Sequence, residues 1–258
     1  MTPETRAADI AALAWQLDLG ADEAIGEEPV NRFGLDDRAA PRRAVAPAAV
    51  PAVVVEEVQG PADRAAACGD LAALRAALEG MEGIGLREGA RSTVFADGNP
   101  AARLMVIGEA PGRDEDRAGL PFVGRSGQLL DRMLAAIGLS RHAAEPERAA
   151  YITNVLPWRP PQNRDPSADE AALLLPFLFR HIALKAPEAI LLLGSPAVRA
   201  VLATESGITR MRGRWHAWRG IPVIATFHPA ALLRDPTKKR EAWADLLLLS
   251  QRLGGGDR

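Results

Sequence analysis

Four short apolar segments, separated by longer stretches with helical periodicity, constrain the fold of this 258-residue chain more than any other feature. Each is rich in aliphatic or β-branched residues and is followed by a turn signal, as buried strands are. The segments are RLMVIG, AAYITNVL, EAILLLG and IPVIATF. Between them, stretches such as GQLLDRMLAAIGL have helical spacing. Strands that alternate with helices predict an α/β fold, a three-layer α/β/α sandwich with a short central, mainly parallel four-stranded sheet.

The chain divides unevenly along its length. Apolar residues near the start have helical spacing: Ile10, Leu13, Leu17 and Leu19. We interpret this amphipathic helix as weakly folded on the core, with a docking peptide for a protein partner as the alternative. Ala- and Pro-rich sequence then predicts a flexible linker, so that residues 1–61 form an N-terminal region. We expect a helix from about Ala62 to Leu78, a main domain over residues 62–253, and a disordered tail over residues 254–258.

Composition and charge exclude several classes of protein. The formal net charge of -2 argues against a general electrostatic affinity for nucleic acid, so DNA binding would need local basic clusters. A single cysteine, Cys68, excludes an intramolecular disulfide framework and an all-cysteine metal site. No apolar run is long enough to span a bilayer, and the N-terminus lacks the pattern of a signal peptide. We therefore expect a cytoplasmic monomer with no membrane contact.

The residues that follow the four strands form an unusual set. Ligands of parallel sheets bind beyond the carboxyl ends of the strands, where this chain has GEAPGRDED, Asn154, GSPAV and FHPAALLR. Common motifs do not fit this set. GEAPGR has Ala110 at the second glycine of a dinucleotide fingerprint, GLPFVGRS has Arg125 where a P-loop has lysine, and GRSGQ has Gln128 where a nucleophile elbow has glycine.

Five ordered stretches resemble the uracil-DNA glycosylase superfamily, and most closely its family 4. They are VFADGNPAARLMVIGEAPG, GLPFVGRSGQLL, YITNVLPWRPPQNRDP, ITRMRGRWHAW and FHPAALLR, within about Leu71 to Leu253. The resemblance implies a central parallel sheet between helices. It also implies a DNA repair enzyme that flips uracil out of DNA and hydrolyses its N-glycosidic bond, leaving an abasic site for base excision repair. The pocket motifs show no lysine for a Schiff base, which predicts a monofunctional glycosylase.

Two other hypotheses compete with this one. The first is a catalytically weak protein that binds uracil-containing or abasic DNA. The second is an unrelated hydrolase or nucleotide-binding enzyme on the same architecture.

Four residues are expected to bind the extruded uracil. Phe122 is the candidate stacking face, or else an ordinary core residue. Asn154 has the donor and acceptor that match the uracil edge, although it could also be a structural cap. A neutral His228 would donate to uracil O2 and favour the developing anion. Ala110 occupies the position of the water-activating aspartate of the best-known enzymes and belongs to the same pocket by resemblance.

The acid that would activate water is not determined by the sequence. By resemblance, Glu109 belongs to the pocket wall and Glu115 crowds uracil C5 and so excludes thymine; which acts as base stays open. Asp114 and Asp116 are interpreted as charges at a helix N-terminus, and the two glutamates could equally have that role. The catalytic candidates are therefore His228, Glu109 and Glu115.

Basic residues near His228 are expected to bind DNA phosphates. Arg210, Arg212 and Arg214 alternate and would share one face of a strand. The loop after His228 adds further cations and two candidate wedges, Leu232 and Leu233. Arg159 is a further candidate, or else a structural residue. The expected DNA-binding residues are Arg125, Arg164, Arg212, Arg214, Leu232, Arg234 and Lys238.

One departure from the family concerns a cofactor. The family normally carries a four-cysteine iron-sulfur cluster, and alignment through the surrounding motifs puts the cysteine positions on Met81, Ile84, Trp158 and Leu174. None of these side chains binds iron as cysteine does, and Cys68 lies outside the pattern. We expect no cofactor and no metal, and we expect the four apolar residues to form a buried packing node.

Overall fold

A computed structural model of the chain describes residues 60–161 and 167–254. The predicted N-terminal helix and linker, Arg164, and the tail beyond Gly254 lie outside the described residues. The helices are α1 Pro61–Ala67, α2 Leu71–Glu79, α3 Gly85–Glu88, α4 Arg113–Ala118, α5 Arg125–Ala135, α6 Ala168–Lys185, α7 Gly194–Leu202, α8 Ile208–Met211, α9 Pro229–Arg234 and α10 Lys239–Gly254, with a 3₁₀ turn at Pro236–Lys238. The strands are β1 Asp97–Gly98, β2 Leu104–Gly108, β3 Ala150–Asn154, β4 Ala189–Leu193, β5 Trp215–Trp218 and β6 Ile221–Thr226.

The strands form one sheet in the order β1-β3-β2-β4-β6-β5. Its four central strands are parallel and correspond to the four apolar segments of the sequence. The two edge strands pair antiparallel with their neighbours, which makes the sheet six-stranded rather than four-stranded. Apolar patterning missed these edges because β1 has two residues and β5 is only partly buried.

Helices cover both faces of the sheet, which explains why β2, β3 and β4 are buried at every residue. Alternate residues of a strand point to opposite faces. Met105 and Ile107 of β2 pack in one apolar core, together with residues of α2 and α6. Leu104 and Val106 pack in the other core, with residues of α5 and α10. The three-layer α/β/α prediction is therefore confirmed.

Two local predictions were wrong. The helix expected from Ala62 to Leu78 is two helices, because Asp70 begins α2 by accepting a hydrogen bond from the Ala73 amide at 2.7 Å. The stretch ITRMRGRW is not one strand either. It begins as α8, and Gly213 then turns the chain at a φ of 76° before β5 starts. Arg210, Arg212 and Arg214 therefore do not share one face of a strand.

No helix within residues 60–161 and 167–254 combines the length and apolarity needed to cross a membrane.

Candidate active site

The candidate site lies at the carboxyl ends of the central parallel strands. Gly108 ends β2, and its register partner Asn154 ends β3. The Val155 amide continues this pairing by donating to the Gly108 carbonyl at 2.9 Å. His228 follows the end of β6 by two residues. Polar groups that are far apart in sequence therefore meet at one edge of the sheet, as expected for a parallel α/β fold.

Gly108 forms the floor of the site. A Cβ atom on this residue would lie 2.4 Å from Asn154 Oδ1 and 2.5 Å from Phe122 Cζ. The amide and the ring therefore converge directly over the Gly108 backbone, an approach that only glycine allows. Sequence reasoning did not single out Gly108, although its position at the end of a buried strand was visible.

Asn154 has a buried acceptor that nothing in the described protein satisfies. The residue is 6% exposed, and its Oδ1 has no hydrogen-bond partner among the described residues. Its neighbour Thr153 differs, because its hydroxyl donates to the Phe95 carbonyl at 2.7 Å. An unsatisfied buried polar atom costs about 1–3 kcal/mol. Asn154 Oδ1 is therefore positioned to accept from a ligand.

Phe122 adopts a backbone conformation that is rare for a residue with a Cβ atom. Its φ is 54°, in the left-handed region, and the residue is buried. The ring centroid lies 5.5 Å from that of His228, with 32° between the two planes. The ring thus lies beside both polar candidates rather than in a separate part of the core.

His228 has a defined tautomer. The residue caps the N-terminus of α9, where the Ala230 amide donates to His228 Nδ1 at 3.1 Å. Because a backbone amide can only donate, the proton of the neutral ring lies on Nε2. Burial lowers the pKa of His228 to about 4; the charge of Arg234 acts in the same direction, and Glu115 opposes it. At neutral pH the ring is therefore an uncharged Nε2–H donor.

Two acidic residues after β2, Glu115 and Asp116, accept hydrogen bonds from backbone amides. Both carboxylate oxygens of Glu115 are engaged: the amides of Val123 and Gly124 donate to Oε1 at 3.0 and 2.9 Å, and the Gly112 amide donates to Oε2 at 3.0 Å. Asp116 accepts from the Arg91 amide at 2.8 Å. These contacts hold the loop, whereas the catalytic role expected for Glu115 stays a prediction.

Glu109 and Ala110 continue directly from the floor of the site. Both are partly buried, and the Glu109 carbonyl accepts from the Leu156 amide at 3.0 Å. Asp114 is exposed in the first turn of α4, the location expected for a helix N-terminal charge.

Two of the expected DNA-binding residues are placed differently from the prediction. The Arg212 guanidinium binds Asp245 at 2.8 Å and Glu241 at 2.9 Å, because Asp245 is a fully buried carboxylate that requires a cation. Arg212 is thus held in internal ion pairs, and its contact with phosphate stays a prediction. Leu232 is 1% exposed, whereas Leu233, on the same helix, is 37% exposed and is the better placed of the two candidate wedges.

The remaining basic candidates within the described part of the chain stay accessible. Arg125 is exposed at the start of α5, and Arg214 and Arg234 are exposed on either side of β6. Lys238 lies 3.2 Å from Asp235 and 5.5 Å from the Phe227 ring centroid. These residues keep their predicted role of contacting phosphate.

The residues at the family's cluster positions do not fit an iron-sulfur cluster. Met81, Ile84, Trp158 and Leu174 are at most 5% exposed and belong to the same apolar core. The Trp158 indole donates to Thr93 Oγ1 at 3.0 Å. Iron-sulfur clusters are held by thiolates, and these four side chains supply none. Within the described residues, no group of three or more His, Cys, Asp or Glu could hold a metal ion.

Comparisons with known proteins agree with the geometry. Residues 95–247, which include the whole candidate site, match the model of the Uracil DNA glycosylase superfamily. The type-4 uracil-DNA glycosylase of Archaeoglobus fulgidus is 39% identical over 165 residues, which cover 61% of this chain and 80% of the relative. The type-4 uracil-DNA glycosylase of Pyrobaculum aerophilum is 33% identical over 195 residues, which cover 72% of this chain and 95% of the relative. A DNA polymerase of Bacillus phage SP01 is 27% identical over 158 residues, which cover 61% of this chain and 16% of the polymerase.

Proposed function

Because the chain belongs to the Uracil DNA glycosylase superfamily, we propose that it is a monofunctional uracil-DNA glycosylase that leaves an abasic site for base excision repair. The observation that carries this proposal is the buried Asn154 Oδ1, which has no hydrogen-bond partner among the described residues and lies beside the Phe122 ring. A flipped uracil would supply the donor that this atom lacks.

Recognition of uracil follows from the amide of Asn154. Uracil presents a donor at N3 and an acceptor at O4, and the amide offers the complementary acceptor and donor. Cytosine reverses both groups, so a fixed amide disfavours it. Extruding a base costs a few kcal/mol, and stacking on Phe122 would offset about 1–3 kcal/mol of this cost.

Bond cleavage would be assisted through the leaving group. As the C1′–N1 bond breaks, its electron pair leaves with uracil, and negative charge develops on the ring oxygens. His228 Nε2–H would donate to O2 and stabilise that charge, as donors do in an oxyanion hole. The water oxygen bonds to C1′, and a proton of the water neutralises the uracil anion.

Water activation would depend on Glu109 or Glu115, because Ala110 has no carboxylate. Both oxygens of Glu115 accept from backbone amides. Glu109 directly follows the floor of the site and is partly buried. The residues that form the site, Gly108, Phe122, Asn154 and His228, include no lysine, so we expect the DNA backbone to stay intact after uracil release.

Release of free uracil from a labelled oligonucleotide, compared with gel retardation of the same DNA, tests this function. We expect uracil release and a strand that breaks only after alkali. Retardation of uracil-containing DNA without release, even with excess protein and long incubation, would instead support the hypothesis of a weak or inactive binding protein.

The absence of an iron-sulfur cluster belongs to the same proposal. It is supported by the four buried apolar side chains at the cluster positions. The monomeric state and the cytoplasmic location stay predictions from the sequence.

A further inference from the structure

Arg141 is a buried arginine that binds the loop carrying Phe122. Its side chain is 3% exposed, and the residue lies in the segment of chain that joins α5 to β3. Nη1 donates to the Pro121 carbonyl at 2.9 Å, and Nη2 donates to the Phe122 carbonyl at 3.0 Å. The guanidinium therefore contacts the backbone of the residue expected to stack on uracil.

Two carboxylates hold Arg141 in this position. Its Nε donates to Asp131 Oδ1 at 2.8 Å, and Nη1 also donates to Asp97 Oδ2 at 3.0 Å. Burying an isolated guanidinium would be strongly unfavourable, and these acids compensate its charge. Because guanidinium is planar and its donors diverge in a fixed fork, fixing it on two acids also fixes the direction of the bonds to the two carbonyls.

The loop is held from its other side by Glu115, which accepts from the Val123 and Gly124 amides. The carbonyls of Pro121 and Phe122 thus accept from the Arg141 guanidinium. The next two residues in the chain donate their amides to the Glu115 carboxylate. Between these contacts Phe122 keeps its left-handed φ of 54°, which is unfavourable for a residue with a Cβ atom. Such a conformation persists only where the surroundings enforce it.

We propose that Arg141 is a positioning residue that fixes Phe122 as a preformed stacking face for the flipped base. The inference rests on the proposed function, because the stacking face matters only if a base enters the site. It extends that function by assigning the orientation of the face to a residue that does not touch the base. Loss of the guanidinium fork would let the loop relax, and part of the stacking would be lost.

A double-mutant cycle tests this role. Arg141→Met removes the fork, and we expect it to slow single-turnover uracil release by roughly 5- to 150-fold, the range that base stacking is worth. In a Phe122→Ala background the same substitution should have almost no further effect, because the face it positions is gone. Arg148→Met, at an exposed arginine of the same segment, is the matched control and should leave the rate unchanged.

Two outcomes would overturn the proposal. One is a normal rate of uracil release for Arg141→Met. The other is that Arg141→Met slows release as much in the Phe122→Ala background as in the unchanged protein, because Arg141 would then act through something other than Phe122. If Arg141→Met fails to fold, Arg141→Lys keeps the charge without the fork and should show the same non-additive loss.

A measurement without DNA separates this proposal from the proposed function. Hydrogen exchange of the Val123 and Gly124 amides should be at least about tenfold faster in Arg141→Met than in the unchanged protein, while the central strands stay protected. If the unchanged protein releases no uracil, the proposed function fails, and the exchange result still decides whether Arg141 holds the loop. Unchanged exchange at both amides would reject the positioning role.

Discussion

The tautomer of His228 has a direct kinetic consequence. With Nδ1 accepting from the Ala230 amide, Nε2–H is the donor that the neutral ring could offer to a leaving base. We expect His228→Ala to slow single-turnover uracil release by roughly 10²–10³-fold, the usual loss for one such donor, with little change in DNA binding. His142→Ala, at an exposed histidine, is the control and should leave both quantities unchanged. A near-normal rate for His228→Ala would remove it from the mechanism.

Gly108 allows a sharper test of the floor of the site. Gly108→Ala puts a Cβ atom within 2.4 Å of Asn154 Oδ1 and 2.5 Å of the Phe122 ring, so the two groups cannot both keep their positions. We expect uracil release to fall by roughly 10²-fold, as is common for a displacement of about 1 Å at a reacting site. Gly85→Ala, where the added Cβ meets nothing within 4 Å, is the matched control. Equal activity of the two variants would contradict the geometry.

At the level of single residues, sequence reasoning could single out candidates where a residue followed a buried strand, and their roles stay predictions. Asn154 and His228 were identifiable because polar side chains at strand ends are costly without a purpose. The left-handed backbone of Phe122 and the contacts of Arg141 were not, since both depend on segments far apart in the chain. The ion pair of Arg212 was not predictable either, because its partner Asp245 is 33 residues away.

At the level of elements, α9 carries neighbouring leucines with opposite environments. Leu232 is buried and Leu233 is exposed next to the basic residues after His228. We expect Leu233→Ala to reduce uracil release from duplex DNA by roughly tenfold or more and to leave single-stranded DNA unaffected, because a wedge offsets the cost of unstacking. The melting temperature of the Leu233→Ala protein should equal that of the unchanged protein.

Leu232→Ala is the internal comparison for that experiment. It should lower the free energy of unfolding by about 2–5 kcal/mol, as core truncations do, and it should not discriminate between duplex and single-stranded substrates. Equal losses on both substrates for Leu233→Ala would argue against a wedge.

Strand and helix types were largely predictable, whereas their boundaries and edges were not. The central strands were evident because both faces are buried, which requires continuous apolar sequence. The edge strand β5 contains His216 and Ala217 between two tryptophans, and its pairing with β6 has no such signature. The break between α1 and α2 depends on the cap at Asp70, which an apolar pattern does not register.

At the level of the whole molecule, the apolar node at the family's cluster positions should replace metal as a source of stability. We expect the purified protein to be colourless, to contain neither iron nor sulfide, and to unfold at the same temperature with and without chelators. Trp158→Ala should lower the free energy of unfolding by about 3–5 kcal/mol, because it truncates a residue that is 1% exposed. Trp243→Ala, at a tryptophan that is 41% exposed, should cost far less. Stoichiometric iron would refute this account.

Acid stability should depend on two histidines, His181, which is buried, and His228, which is partly buried. Burial and the charge of Lys185 lower the pKa of His181 to about 3, and the pKa of His228 is lowered to about 4. In the unfolded chain both would titrate near about 6.5. The unfolded state therefore binds more protons between about pH 6.5 and pH 4, so stability is highest above that window and falls as the pH decreases through it.

Thermal melts across this pH range check the expectation. His181→Gln should flatten the decline relative to the unchanged protein, whereas His142→Gln, at an exposed site, should not. A decline of the same slope in all three proteins would assign it to other groups.

The short path from Asn154 to Trp158 connects the amide expected to recognise the base to one of the four apolar residues at the expected cluster positions. Every residue along it is buried, and it is tied to its surroundings by bonds from the Val155 amide to the Gly108 carbonyl and from the Val94 amide to the Pro157 carbonyl. A replacement that alters the packing around Trp158 should therefore also displace Asn154. Base selectivity, if Asn154 provides it as expected, would then depend on core packing outside the site.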